Sequence, residues 1–132
     1  MDLKVLWARF CTRWFPVTVR DPTAVAQGLI GVLMDPTAPH GDREEAATDL
    51  SAYDVDGVED ALARIACDAS IYEGLADACG ESLAEIWHRT GRINDAILVR
   101  LSPVALETML SILAGLSPDL AVDATKRLRA EI

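Results

Sequence analysis

The chain has few of the residues on which small secreted folds and β-sheet cores depend. Aromatic side chains make up 5% of its 132 residues, and alanine and leucine supply most of its apolar content. This mixture favours closely packed helices over sheets. The three cysteines, Cys11, Cys67 and Cys79, are an odd number without a CxxC pair. We therefore expect reduced thiols in a cytoplasmic protein and no disulfide framework.

Long apolar runs are also missing. The most apolar N-terminal stretch, residues 1–15, is interrupted by Lys4, Arg9 and Arg13, too often for a signal-peptide core or a membrane span. No later run is long enough to cross a bilayer either. The sequence therefore predicts one folded domain over residues 1–132 that is not inserted in a membrane.

Catalytic and metal-binding patterns are scarce. The sequence contains no GxSxG, P-loop or GxGxxG motif, and no serine or cysteine has a base placed near it in sequence. A zinc site needs about four ligands, and Cys67, Cys79 and His88 offer at most three. We interpret both cysteines as buried packing residues and expect no metal, no cofactor and no catalytic residues. An enzyme with unfamiliar site residues is the third and least supported interpretation.

The net charge of −9 is unevenly distributed along the chain. Residues 1–20 carry four bases against one acid, a charge of +3. Residues 21–88 carry fifteen acids against two bases, a charge of −13, and residues 89–132 carry six bases against five acids, a charge of +1. A segment as acidic as residues 21–88 would repel the phosphate backbone of a nucleic acid. Nucleic acid is therefore disfavoured as a partner, and a basic protein is expected instead.

Residues typical of helix starts and the spacing of apolar residues predict an all-α fold. Asp21-Pro22, Ser102-Pro103 and Ser117-Pro118 are typical helix starts, and Asp42, Asp56 and Asn94 are further candidate caps. Apolar residues recur every three or four positions, and no segment alternates with period two. The predicted helices lie near 3–15, 22–34, 43–53, 57–69, 71–89, 94–101, 103–114 and 118–131.

Residues 1–20 are predicted to form a basic, aromatic N-terminal helix. Trp7, Phe10 and Trp14 share one of its faces, which would suit either a membrane surface or a protein core. The rest of the chain carries −12 and would be repelled by anionic lipid. We therefore expect the aromatic face to dock on the helical hairpins of residues 21–132.

The segment 42–132 contains an approximate internal repeat of small and apolar residues. A shift of 33 residues carries Ala46 onto Cys79, Leu50 onto Leu83 and Ile65 onto Leu98. The Asp42-Arg43 pair has no counterpart at the shifted position, where Leu75 and Ala76 stand. This pattern resembles HEAT-type repeats, in which antiparallel helices pack through small and apolar residues. The resemblance implies hairpins stacked as a short α-solenoid. A compact helical bundle is the alternative.

Four acids, which we call the acidic ladder, follow one another at intervals of four: Glu73, Asp77, Glu81 and Glu85. Like charges at this spacing destabilise a helix by ~0.2–0.5 kcal/mol per pair. Only Arg89, four residues after Glu85, supplies an opposite charge. The other face of this helix is apolar, so we expect the ladder to point outward, as a solvated face or as a partner-binding face.

A second acidic patch, Asp56, Glu59 and Asp60, surrounds a predicted helix start just after Asp54. The spacing does not match a calcium-binding EF-hand loop. Helix capping explains the patch better than a metal does, and partner binding is compatible with capping.

Small acidic HEAT-like domains resemble the bacterial immunity proteins that neutralise polymorphic or contact-dependent toxins. This resemblance implies stoichiometric inhibition of a basic toxin, with acids in the place of nucleic-acid phosphates. The residues expected to bind the partner are the acidic ladder, the second acidic patch and Trp87 as an aromatic anchor. A HEAT-type adaptor or regulatory domain is the main alternative.

Overall fold

The computed structural model describes residues 21–131, and all regular structure within that range is helical. The predicted helix over 3–15, with Trp7, Phe10 and Trp14, lies outside the described residues. The described helices are α1 (Pro22–Met34), α2 (His40–Leu50), α3 (Val58–Ala66), α4 (Glu73–Thr90), α5 (Asp95–Leu98), α6 (Pro103–Leu116) and α7 (Pro118–Ala130). The all-α prediction is confirmed for this part of the chain.

Three predicted caps form. Asp21 accepts a hydrogen bond from the backbone N–H of Thr23 at the start of α1, and Ser102 and Asn94 accept the corresponding bonds at α6 and α5. Proline follows Asp21 and Ser102, where a backbone donor would have no helical partner. These bonds satisfy N–H groups that a helix start leaves unpaired.

Three predicted side-chain caps do not form. Ser117 is the cap residue of α7, but its side chain makes no capping hydrogen bond. The α2 helix begins at His40 instead of Arg43, so Asp42 lies in its first turn, and Pro39 is the cap residue. The cap residue of α3 is Gly57, which has φ 94°, and the side chain of Asp56 does not cap the helix. The left-handed conformation suits glycine because a Cβ atom would be strained there.

Helix α4 lies at the centre of the packing. It packs against α2, α3 and α6, while α1 packs against α2 and α3, and α7 packs against α6 and contacts α5. The fully buried residues Leu75, Cys79 and Leu83 of α4 form part of one apolar core. Helix α4 therefore has α2, α3 and α6 as direct neighbours.

A close crossing brings α6 against α4. A Cβ atom at Gly80 of α4 would lie 2.6 Å from the backbone oxygen of Ala105 in α6. Only glycine leaves room for this approach, since backbone cannot move away as a flexible side chain would. On the other side of α4, the hydroxyl of Ser82 donates to the carbonyl oxygen of Ala47 in α2 at 2.6 Å.

A buried arginine closes the end of α1. Arg43 is 7% exposed, and its Nε donates to the carbonyl oxygen of Leu33 at 2.9 Å. Carbonyl groups in the last turn of a helix have no helical partner, and basic side chains near this end are favourable. Arg43 thereby fastens α2 to the end of α1.

Candidate partner-binding surface

Three carboxylates from two helices line a groove between the first half of α4 and α6. Glu73 and Asp77 come from α4, and Glu107 comes from α6. The groove has a volume of about 330 Å³, and its remaining lining residues are Val104, Thr108, Ser111 and Ile112. We call it the acidic groove. The Thr108 hydroxyl donates a hydrogen bond to Asp77, which holds that carboxylate in place.

The acidic ladder is only partly outward-facing. Glu73 and Asp77 are exposed, whereas Glu81 and Glu85 are half-buried. Helix α4 packs against α2, α3 and α6, and this packing covers part of Glu81 and Glu85. The first half of the ladder reaches the acidic groove and the second half does not.

The counter-charge expected for the ladder is engaged elsewhere. Arg89 forms an ion pair with Asp54 at 2.8 Å and donates to the carbonyl oxygen of Ser51 at 2.6 Å. The other ion pairs within residues 21–131 join Arg127 to Asp95 and Asp123. No ion pair in the described range involves a ladder residue. The ladder is thus less compensated than the sequence indicated.

The prediction that Trp87 is a surface anchor is wrong. Trp87 is 0% exposed and belongs to the core. Its indole N–H donates to Oε2 of Glu59 at 3.0 Å, and the Asn94 amide donates to Oε1 of the same carboxylate at 2.9 Å. Glu59 is half-buried, and both of its oxygens accept internal hydrogen bonds. Glu59 therefore joins α3, α4 and the start of α5 and does not offer an open acidic surface.

The rest of the second acidic patch is exposed but distant from the acidic groove. Asp56 and Asp60 are exposed at the start of α3. The Glu59–Trp87 hydrogen bond places this end of α3 beside the last turns of α4. Glu73 begins α4 fourteen residues before Trp87, a distance of roughly 20 Å along the helix axis. The structure therefore does not join the two predicted patches into one surface at the groove.

Glu107 and Thr108 are groove residues that the sequence analysis did not identify. Glu107 is the single charged residue of α6, in a helix that is otherwise apolar or neutral. An isolated charge of this kind indicates the solvent-facing side of a helix. Its position beside Glu73 depends on the packing of α6 against α4, which no local pattern encodes.

The described cysteine thiols are shielded from solvent to different degrees. Cys79 is 0% exposed, and burial raises its thiol pKa to about 12. Cys67 was predicted to be buried like Cys79 but is only half-buried, and this partial burial also raises the pKa of its thiol. Thiolate, the reactive form, is therefore scarce at neutral pH at Cys79. His88 Nδ1 lies 2.5 Å from the Ser117 hydroxyl. Within residues 21–131, no three His, Cys, Asp or Glu side chains are grouped to hold a metal ion.

Comparison with known proteins adds no relative. No family model matches the chain, and neither a curated protein nor a solved structure matches it. Among the described helices, none combines the length and the apolar character that crossing a bilayer requires.

Proposed function

We propose that this chain is a protein-binding domain whose acidic groove receives a basic segment of a partner protein. The observation that carries the proposal is the convergence of Glu73, Asp77 and Glu107 from two helices on one concavity. Of the three, Asp77 receives a hydrogen bond from Thr108, and none takes part in an ion pair within the described residues. Three uncompensated carboxylates in one groove repel one another, and a cation placed among them would relieve that repulsion.

The chemistry of the groove favours arginine or lysine on the partner. Arginine forms paired hydrogen bonds with carboxylates, and the apolar residues Val104 and Ile112 beside the acids suit the methylene groups of either side chain. The charge of −13 over residues 21–88 would also steer a basic protein toward this molecule. Both features favour a basic protein over a nucleic acid.

Among proteins that bind basic partners, we propose an immunity protein that inhibits a basic toxin. The packing of α4 against both α2 and α6 is a feature that a stacked, HEAT-like arrangement would share. In this proposal the groove carboxylates occupy the place of substrate phosphates in the active site of a toxin. The proposal rests on fold analogy and charge, and its test is therefore direct binding.

The decisive experiment compares two charge reversals of equal size. The groove variant is Glu73→Lys with Glu107→Lys, and the matched variant is Asp56→Lys with Asp60→Lys. Each variant replaces two exposed acids with lysine, so the two variants have the same net charge. Glu73 and Asp60 both lie in the first turn of their helices, so the two variants should change helix stability similarly. The partner is first captured on the tagged wild-type protein from the native host and identified by mass spectrometry. Its affinity is then measured by titration calorimetry at two salt concentrations.

We expect the groove variant to lose at least about tenfold in affinity, because reversed charges repel a basic partner and remove its hydrogen bonds. The matched variant should lose much less. Equal losses in both variants would mean that overall charge attracts the partner, and the groove would not be the site. Unchanged affinity in the groove variant would refute the proposal outright.

A further inference from the structure

Helix α7 leaves an apolar surface uncovered. A groove of about 680 Å³ lies between α6 and α7 and is lined mainly by apolar side chains, among them Leu110, Ala114 and Ala121. Val122 is 54% exposed, and Ala124 is the one residue of α7 that is buried. Leu120 and Leu128 pack partly against the core, so the apolar surface that α7 leaves available is centred on Val122 and the groove.

One acid and one base on the exposed side of α7 lie symmetrically about the middle of the helix. Asp119, Val122 and Lys126 are exposed and share one face of α7, because their spacings are three and four residues. Asp119 and Lys126 lie equally far, in opposite directions, from the midpoint between Val122 and Asp123. Turning a second α7 by 180° about an axis through that midpoint therefore brings each Asp119 opposite Lys126 of the second copy.

We propose that this face binds a second copy of the chain in an isologous, antiparallel dimer. Val122 packs beside Val122 of the second copy at the centre, over the groove between α6 and α7. Two ion pairs between Asp119 and Lys126 flank this apolar centre. Two-fold dimers are the commonest oligomers, and a self-complementary face is what their symmetry requires.

The N-terminal segment fits this surface less well. Residues 1–20 carry an apolar stripe, but their charge is +3. Lys126 and Arg129 line the groove between α6 and α7. Bases on both surfaces would repel, whereas a second copy supplies an acid opposite Lys126. Charge complementarity therefore favours the second copy.

The area involved sets the expected strength of the dimer. With 13 residues, α7 is about 20 Å long, so contact along one helix covers less than the ~800 Å² per partner of a standard stable interface. We therefore expect a weak dimer that forms in the range from about 10 µM to about 1 mM.

Sedimentation equilibrium of the full chain over that concentration range tests the dimer. The wild type should approach the dimer mass, and Val122→Glu should remain monomeric because it buries a charge at the centre. Val99→Glu is the matched control, since Val99 is 43% exposed and lies outside α7. This control should dimerise as the wild type does.

A charge swap tests the symmetry itself. Asp119→Lys and Lys126→Asp should each weaken dimerisation several-fold, because each places like charges opposite one another. The double variant restores opposite charges and should recover most of the wild-type affinity. Circular dichroism melting checks that every variant is folded.

Two results would overturn the proposal. The first is a wild-type monomer at every concentration. If Val122→Glu also lowered the melting temperature of that monomer, the occupant would be another part of the same chain, such as residues 1–20. The second is a dimer that the double variant fails to recover, which would rule out the proposed pairing.

Discussion

At the scale of single residues, one carboxylate in an acidic stretch accepts hydrogen bonds that stabilise the core. Glu59 accepts from the Trp87 indole at 3.0 Å and from the Asn94 amide at 2.9 Å. The indole belongs to a side chain that is 0% exposed, so water cannot readily replace this acceptor. A buried donor left without an acceptor costs about 1–3 kcal/mol.

We therefore expect Glu59→Ala to lower the free energy of unfolding by about 2 kcal/mol, because Trp87 and Asn94 both lose their acceptor. Glu59→Gln keeps one acceptor oxygen and should lose less. Urea denaturation followed by Trp fluorescence measures the difference. Asp60→Ala is the control, and this exposed neighbour should change the free energy by no more than about 0.5 kcal/mol. Equal losses for Glu59→Ala and Asp60→Ala would show that the hydrogen bonds do not stabilise the core.

The burial of Trp87 could be predicted in part. Leu75, Cys79, Leu83 and Trp87 follow one another at intervals of four, and all four are fully buried. The same helix also carries acids at intervals of four, so interval alone does not separate an apolar stripe from a solvent-facing one. Continuing the apolar stripe to Trp87 would have placed it in the core. Its acceptor, Glu59, comes from another helix, which is why the hydrogen bond could not be predicted.

At the scale of helices, the residues at each helix start explain which starts the sequence predicted correctly. The starts of α1 and α6 were predicted at the correct residue, because an aspartate or serine cap and a following proline mark each one. The start of α2 was predicted three residues late, since its cap residue is a proline that makes no side-chain hydrogen bond. An aspartate or serine followed by proline marks a helix start in the sequence, as at α1, α6 and α7, whereas the start of α2 carries no such pair.

The crossing of α4 and α6 depends on one glycine, and its loss should be costly. Gly80→Ala would place a Cβ atom 2.6 Å from the Ala105 carbonyl oxygen, so the two helices would have to move apart. Despite the better helix propensity of alanine, we expect the free energy of unfolding to fall by about 1–3 kcal/mol. Thermal and urea unfolding both measure this loss.

Gly31→Ala provides the matched control for Gly80→Ala. Gly31 also lies within a helix, but a Cβ atom there would meet nothing within 4 Å. Alanine at this position should raise stability by about 0.5–1 kcal/mol through helix propensity and a less flexible unfolded chain. If the two variants changed stability in the same direction, the helix crossing would not depend on the absence of a side chain at Gly80.

At the scale of the whole molecule, the sequence predicted the excess of acidic residues but not where on the surface they come together. The excess of acids in residues 21–88 was evident from composition, and two ladder residues do reach the acidic groove. The groove also needs Glu107, which lies outside that zone and comes to it only when α6 packs on α4. The excess acid predicted the sign of the surface, while the tertiary fold determines where acids converge.

The uncompensated ladder should make the molecule more stable when one of its acids is reversed. Glu81 stands four residues from both Asp77 and Glu85, and no base pairs with any of the three within the described residues. Glu81→Lys replaces two repulsions by two attractions, which should raise the free energy of unfolding by about 1 kcal/mol at low salt. Glu81→Gln only removes the repulsions and should give about half of that gain.

Salt separates this electrostatic effect from a change in packing. Added NaCl screens repulsion between exposed charges, so the melting temperature of the wild type should rise with salt, and the advantage of Glu81→Lys should shrink. A packing effect at this half-buried position would instead persist at high salt. Melting curves of the wild type and both variants, from about 20 mM to about 500 mM NaCl, measure the trend. If Glu81→Lys were less stable than the wild type at low salt, repulsion between the ladder acids would not dominate their effect on stability.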